Sequence, residues 1–142
     1  MLRHAIPCAL VLSAVAACGN SARREATGLT TAVDRYRHAS DGPSREAQGQ
    51  AVAAVACTDA RVCDAKQACL AAIEPTTRAL ALKDEVTLRL GDLENKRLDP
   101  GSPEAQALPG KLDEASRLLK DARTKMTTCD AKLAELAGVI GG

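Results

Sequence analysis

Three features of the sequence predict an all-α fold. Apolar residues recur every three or four positions over long stretches, and proline and glycine clusters cut those stretches into segments of helix length. No run alternates apolar and polar side chains as a half-buried strand would, and no fixed period suggests stacked repeats. The expected architecture is a small antiparallel helical bundle of about four to five helices, stapled by disulfides.

The first helix is expected over about residues 22–39, where Leu29, Val33 and Tyr36 form one stripe and Arg23, Arg24, Asp34, Arg35 and Arg37 lie mainly off it. Gly28 weakens this helix, so the segment reads either as helix or as a partly ordered stalk. Ser40-Asp41-Gly42-Pro43 is a break, after which Ala47, Ala51, Val52, Ala54 and Val55 supply the narrow apolar face of a second helix up to Cys57. Thr58 and Asp59 can cap a third, from about Ala60 to Ile73, with Val62, Cys69 and Ile73 on one side.

Glu74-Pro75-Thr76 is expected to interrupt or kink that run, because an internal proline removes a hydrogen bond and clashes with the preceding turn. Leu82, Val86, Leu90 and Leu93 mark the next helix, over about residues 78–98, with Leu80 and Leu88 widening its apolar surface and Gly91 as its weak point. Asp99-Pro100-Gly101-Ser102-Pro103 reads as a turn. The clearest amphipathic stripe follows, with Leu112, Ala115, Leu119, Ala122, Met126, Cys129, Leu133 and Leu136 on a helix over about 109–137. Pro109 can start it after a short turn at 103–108, and Gly138 can end it. Asp113, Arg117, Asp121 and Lys125 form an i, i+4 ladder of a solvated face.

Aromatic residues are nearly missing: Tyr36 stands alone, with no Phe and no Trp. The core must therefore be built from Ala, Leu, Val, Ile and Met, and stacking platforms for bases or sugars are not available.

The opening residues do not fit the fold. Arg3 and His4 give a basic start, and Ala5 to Ala17 is a largely apolar run of 13 residues interrupted by Pro7. As a helix it would rise only about 20 Å, short of the ~20 residues that cross a hydrocarbon core. It reads as the apolar region of a signal peptide. With Val15-Ala16-Ala17 before Cys18, the segment resembles the lipobox of bacterial lipoproteins.

That resemblance covers the first twenty or so residues. It implies cleavage between Ala17 and Cys18, acylation of Cys18 by palmitate-type chains, and a membrane anchor made of lipid. Several acyl chains hold stably where one binds only marginally. Gly19 follows Cys18 where some bacteria use an aspartate for inner-membrane retention, so the resemblance favours the outer membrane. Ordinary cleavage after Ala16 or Ala22, giving a secreted protein, is the alternative. The expected organisation is then 1–17 signal peptide, 18–40 lipidated N-terminus with stalk or first helix, and 41–142 helical bundle domain.

Of the 19 Lys and Arg residues, Arg3 alone precedes Cys18, so the implied mature chain has 18 basic and 18 acidic side chains. With no basic excess to neutralise phosphates, nucleic acid is not an expected partner. Membrane attachment would come from the lipid.

Six cysteines reduce to four when Cys8 leaves with the signal and Cys18 is acylated: Cys57, Cys63, Cys69 and Cys129. In an oxidising compartment these read as two disulfides. Cys63 and Cys69 share a helix on which six residues rise about 9 Å, beyond the ~7 Å Cα separation a bridge can span. Cys57 with Cys69 is disfavoured because Cys69 would lie about 14 Å along that helix. Cys57–Cys63 with Cys69–Cys129 is the favoured pattern. The spacings match no zinc site, and His38 is the only histidine after Cys18, so no metal is expected.

No nucleophile elbow, zinc-protease, P-loop or dinucleotide motif occurs, and no haem or CxxC redox motif. The adjacent carboxylates Asp84-Glu85 and Asp113-Glu114 would point about 100° apart on a helix. No catalytic residue and no cofactor is expected. The sequence favours a lipid-anchored, non-catalytic interaction or structural module with a protein partner in the cell envelope. A small-ligand-binding protein is the competing reading, and it requires an apolar cavity between helices.

Overall fold

The computed structural model describes residues 15–141, with side chains from Asn20 onward. These residues form four helices, α1 (Val15–His38), α2 (Gly42–Ala54), α3 (Ala60–Glu94) and α4 (Pro103–Gly141), and no strand. Residues 1–14 of the expected signal segment lie outside the described residues, as do the side chains of Ala17 and Cys18. The α1 backbone passes through both positions without a break.

The segment read as either helix or stalk is helix, and it is packed rather than free. Ala26, Leu29, Ala32, Val33 and Tyr36 belong to the main core cluster, with Leu29 and Val33 fully buried. Apolar burial of this kind stabilises at roughly 25 cal/mol per Å², which outweighs the weakness introduced by the exposed Gly28.

A short break follows, and Asp41 caps α2 by accepting the Ser44 N–H at 2.7 Å and the Ser44 hydroxyl at 2.9 Å. Of the expected apolar face of α2, Val52 is buried and Val55 packs against the core, while its alanines are corrected. Ala47, Ala51 and Ala54 are exposed, and the buried residues are Gly49 and Val52. The reason is steric: a Cβ on Gly49 would stand 3.2 Å from Ile73 Cγ2 and 3.8 Å from the Tyr36 ring. The residue without a side chain turns inward because two large neighbours already fill that space.

α3 is one continuous helix of 35 residues, so the interruption at Glu74-Pro75-Thr76, expected as the alternative to a kink, does not occur. Pro75 withholds its donor from the Ala71 carbonyl, but Ala71 is exposed and water can serve it. Thr76 and Thr77 donate their hydroxyls to the carbonyls of Ala72 and Ile73 at 2.9 and 3.1 Å. Pro75 itself is buried, so its ring contributes to packing. The helix stops at Glu94, earlier than the expected residue 98, with Lys96 at φ 57°.

α4 begins at Pro103, not Pro109, because Ser102 Oγ accepts the Ala105 N–H at 3.2 Å and Pro103 fills the first turn. It runs through Pro109 and past Gly138. Its buried residues are Leu108, Ala115, Ala122, Cys129 and Leu136, each seven positions after the last. Facing them on α3, Ala65, Ala72, Ala79 and Val86 repeat at the same interval. A seven-residue repeat favours left-handed winding, and alanines at every second turn let two helix axes approach closely.

α3 and α4 form the most extensive pairing in the molecule. Cys69 meets Cys129, Arg78 meets Glu114 at 3.1 Å, Glu85 meets Lys111, and Arg89 Nε lies 2.8 Å from Glu104. The partners rise along one helix as they fall along the other, as in a helical hairpin. α1 and α2 pack along this hairpin from the α2–α3 corner, past the core cluster, up to the level of Asp84. α1 ends level with Met126 and Asp130, where Arg37 pairs with Asp130. α2 begins beside Asp84, where a Cβ on Gly42 would lie 3.3 Å from the carboxylate.

Candidate functional site

The best-constrained region is the corner joining α2 to α3. Cys57, just past α2, is bridged to Cys63 in the first turn of α3 with Cα atoms 5.1 Å apart. Cys69, two turns farther along, is bridged to Cys129 with Cα atoms 4.6 Å apart and a sequence separation of 60. These are the pairs that helix rise favours. Cys69 and Cys129 are fully buried. As disulfides the four sulfurs have no thiolate to offer a metal or a substrate.

Polar groups lock the same corner. Glu25 on α1 accepts the Thr58 N–H and the Thr58 hydroxyl, both at 2.7 Å, and more weakly the Asp59 N–H at 3.4 Å. A carboxylate at these free amides also meets the positive end of α3. Asp59 caps α3 through the Arg61 N–H at 2.9 Å, and Lys66 Nζ donates to the Val55 carbonyl at 2.7 Å.

These bonds shift acidities. The Arg61 side chain, then its backbone N–H, holds the Asp59 carboxyl down to about 2. The Thr58 N–H, then its hydroxyl, lowers Glu25 from its ordinary value. Both shifts favour the charged, structural form. Neither acid is prepared to give up or take a proton near neutrality.

The other residues singled out by sequence are scattered. His38 Nδ1 lies 2.8 Å from the Asp34 carbonyl at the exposed end of α1. The adjacent carboxylates diverge: Glu85 pairs with Lys111 while Asp84 sits beside Gly42, and Glu114 pairs with Arg78 while Asp113 is exposed. Of the expected ladder on α4, the Asp121–Lys125 rung forms, at 2.8 Å. No group of three or more His, Cys, Asp or Glu able to hold a metal occurs among the described residues. No helix among them is long and apolar enough to cross a membrane.

Two open furrows follow the α2–α3 contact. One of about 210 Å³ lies between Pro43, Arg45 and Glu46 on α2 and Thr77, Leu80 and Asp84 on α3. Another, of about 340 Å³, is bounded by Gly49, Gln50, Ala53, Ile73 and Thr77. They are grooves on the outside of the helix contact and not a chamber within it. Beneath them Arg45 sits 5.9 Å from the Tyr36 ring centroid and donates to the Ala39 carbonyl at 2.7 Å.

The feature that sequence reading missed is the uncovered end of the hairpin. Leu90 and Leu112 were placed on core stripes, yet they are 46% and 43% exposed, and Leu88 is 63% exposed. α2 reaches only to the level of Asp84 and α1 ends level with Met126, an arrangement that apolar spacing within each helix does not reveal. Comparison with known proteins finds no matching family model, no similar curated protein and no similar solved structure.

Proposed function

We propose that the chain is a lipid-anchored protein of the cell envelope whose four helices form an antiparallel bundle acting as a non-catalytic interaction module. The observation that carries the reading is the basic, apolar opening that ends in Val15-Ala16-Ala17-Cys18. The two disulfides support it, because such bridges persist in oxidising compartments.

The layout of the helices supports it too. Cys18 is at the start of α1, ahead of the Glu25 contact with the α2–α3 corner. The connection 95–102 lies at the opposite end of α3, whose 35 residues span about 52 Å. Acyl chains on Cys18 would hold that end of the molecule at the outer membrane and leave the hairpin end free for a protein partner.

Mass spectrometry of the N-terminus from exported protein tests this. The expected product begins at Cys18 with added acyl mass, and Cys18→Ala yields no acylated product. A chain that begins elsewhere, or a Cys18 without added mass, overturns the anchor.

A further inference from the structure

We propose that the uncovered end of the α3–α4 hairpin is a self-association surface, on which a second copy of this chain docks antiparallel about a two-fold axis. This names the partner for the interaction reading above, without using the anchor.

On α3 the row that carries the core residues Val62 and Cys69 continues, at the same interval, through the half-buried Thr76 to the exposed Lys83 and Leu90. On α4 the matching row runs back from Ile140 through Leu133, Met126 and Leu119 to Leu112. α1 packs on these rows where they border the core cluster and ends level with Met126. Leu90 and Leu112 therefore prolong a seam that another helix fills farther down. Leu88 lies about 200° around α3 from Leu90 and is not part of it.

Charge selects the occupant. Lys83, Thr87, Leu90 and Glu94 stand at i, i+4, i+7 and i+11, one stripe with a cation at one end and an anion at the other. Lys83 and Glu94 are exposed and have no ion-pair partner among the described residues, because the neighbouring pairs use Glu85, Arg89, Asp92 and Arg97. Beside this stripe the outer face of α4 offers Pro109, Leu112 and Ser116, all uncharged.

Reversed on itself, the stripe places Lys83 against Glu94 of the second copy at both ends, with Leu90 against Thr87 between them. A two-fold interface is self-complementary in this sense. The parallel arrangement would set Lys83 against Lys83 and Glu94 against Glu94, and like charges repel.

Carbodiimide cross-linking of the full chain in non-ionic detergent, with mass-spectrometric mapping of the linked peptides, tests the pairing. On one helix Lys83 and Glu94 are eleven residues, about 16 Å, apart, so a zero-length link between them reports two copies. The expected result is a dimer containing that link. Lys83→Glu or Glu94→Lys alone should lower its yield roughly tenfold, since one reversal turns two symmetry-related attractions into repulsions. The double reversal should restore it.

The exposed sites leave folding intact, which helical circular dichroism of each variant verifies. A chain that stays monomeric up to about 1 mM, a dimer indifferent to both single reversals, a double reversal that fails to recover, or links from these residues only to other proteins would each overturn the proposal. The N-terminal mass is read independently, so loss of the anchor reading leaves this test unchanged.

Discussion

Gly49 and Gly28 show how one residue type acts in opposite ways. Gly49 stands where α1, α2 and α3 converge, and a side chain there meets Ile73 and Tyr36. Gly49→Val should destabilise the fold by about 1–3 kcal/mol through overpacking. Gly28 is an exposed helical position with nothing within 4 Å of an added Cβ. Gly28→Ala should stabilise it by about 0.5–1 kcal/mol, because the unfolded chain loses freedom and the helix gains propensity. Denaturant titration of the two variants checks both signs.

The acids of the α2–α3 corner set a pH dependence. Asp59 is drawn from 3.8 to about 2, and Glu25 falls below 4.5. A group whose folded value is depressed stabilises the fold above its unfolded value and loses that contribution as pH falls through the folded value. Stability should therefore decline from about pH 4.5 towards pH 2. In the double variant Glu25→Gln, Asp59→Asn the decline over that window should be shallower, as read by thermal melts across the range.

At the scale of the helices, the end of α3 carries a residue in an uncommon conformation. Lys96 adopts φ 57° just past the helix, where glycine has no Cβ penalty. Lys96→Gly should stabilise the protein by up to about 1 kcal/mol, measurable as a higher melting temperature. Two of the four helices were largely legible from apolar spacing, α1 through Leu29, Val33 and Tyr36, and α4 through its stripe. Their starts were less so: Ser102-Pro103-Glu104 carries the signature of a cap followed by a first-turn proline, but the proline-glycine cluster before it reads as one long turn.

Pro75 illustrates a different limit. An internal proline costs about 3 kcal/mol locally, which argues for a break. Tertiary packing on both sides, with Ala72, Ile73, Pro75 and Ala79 all buried, keeps the helix continuous through it. The face of α2 was legible at Val52 and Val55 but not at its alanines or Gly49, since which of these small residues turn inward depends on Tyr36 and Ile73 in other elements. The corner acids were likewise hidden, because Glu25 and Thr58 are 33 residues apart.

The molecule as a whole is a long hairpin with a second pair of helices along part of it, and its tight centre is made of alanine and one buried disulfide. Removing that bridge by Cys69→Ala with Cys129→Ala should cost about 2–4 kcal/mol by freeing a long loop in the unfolded chain. Chemical denaturation under non-reducing conditions checks it. The local bridge Cys57–Cys63 closes a much shorter loop and should cost less.

The position of the long bridge also decides what happens after a nick. A protease that cuts the exposed connection at 95–102 severs the only stretch of backbone joining α3 to α4, but both pieces stay tied through Cys69 and Cys129. The clipped molecule should migrate as one band on a non-reducing gel and part into two fragments only when a reductant is added.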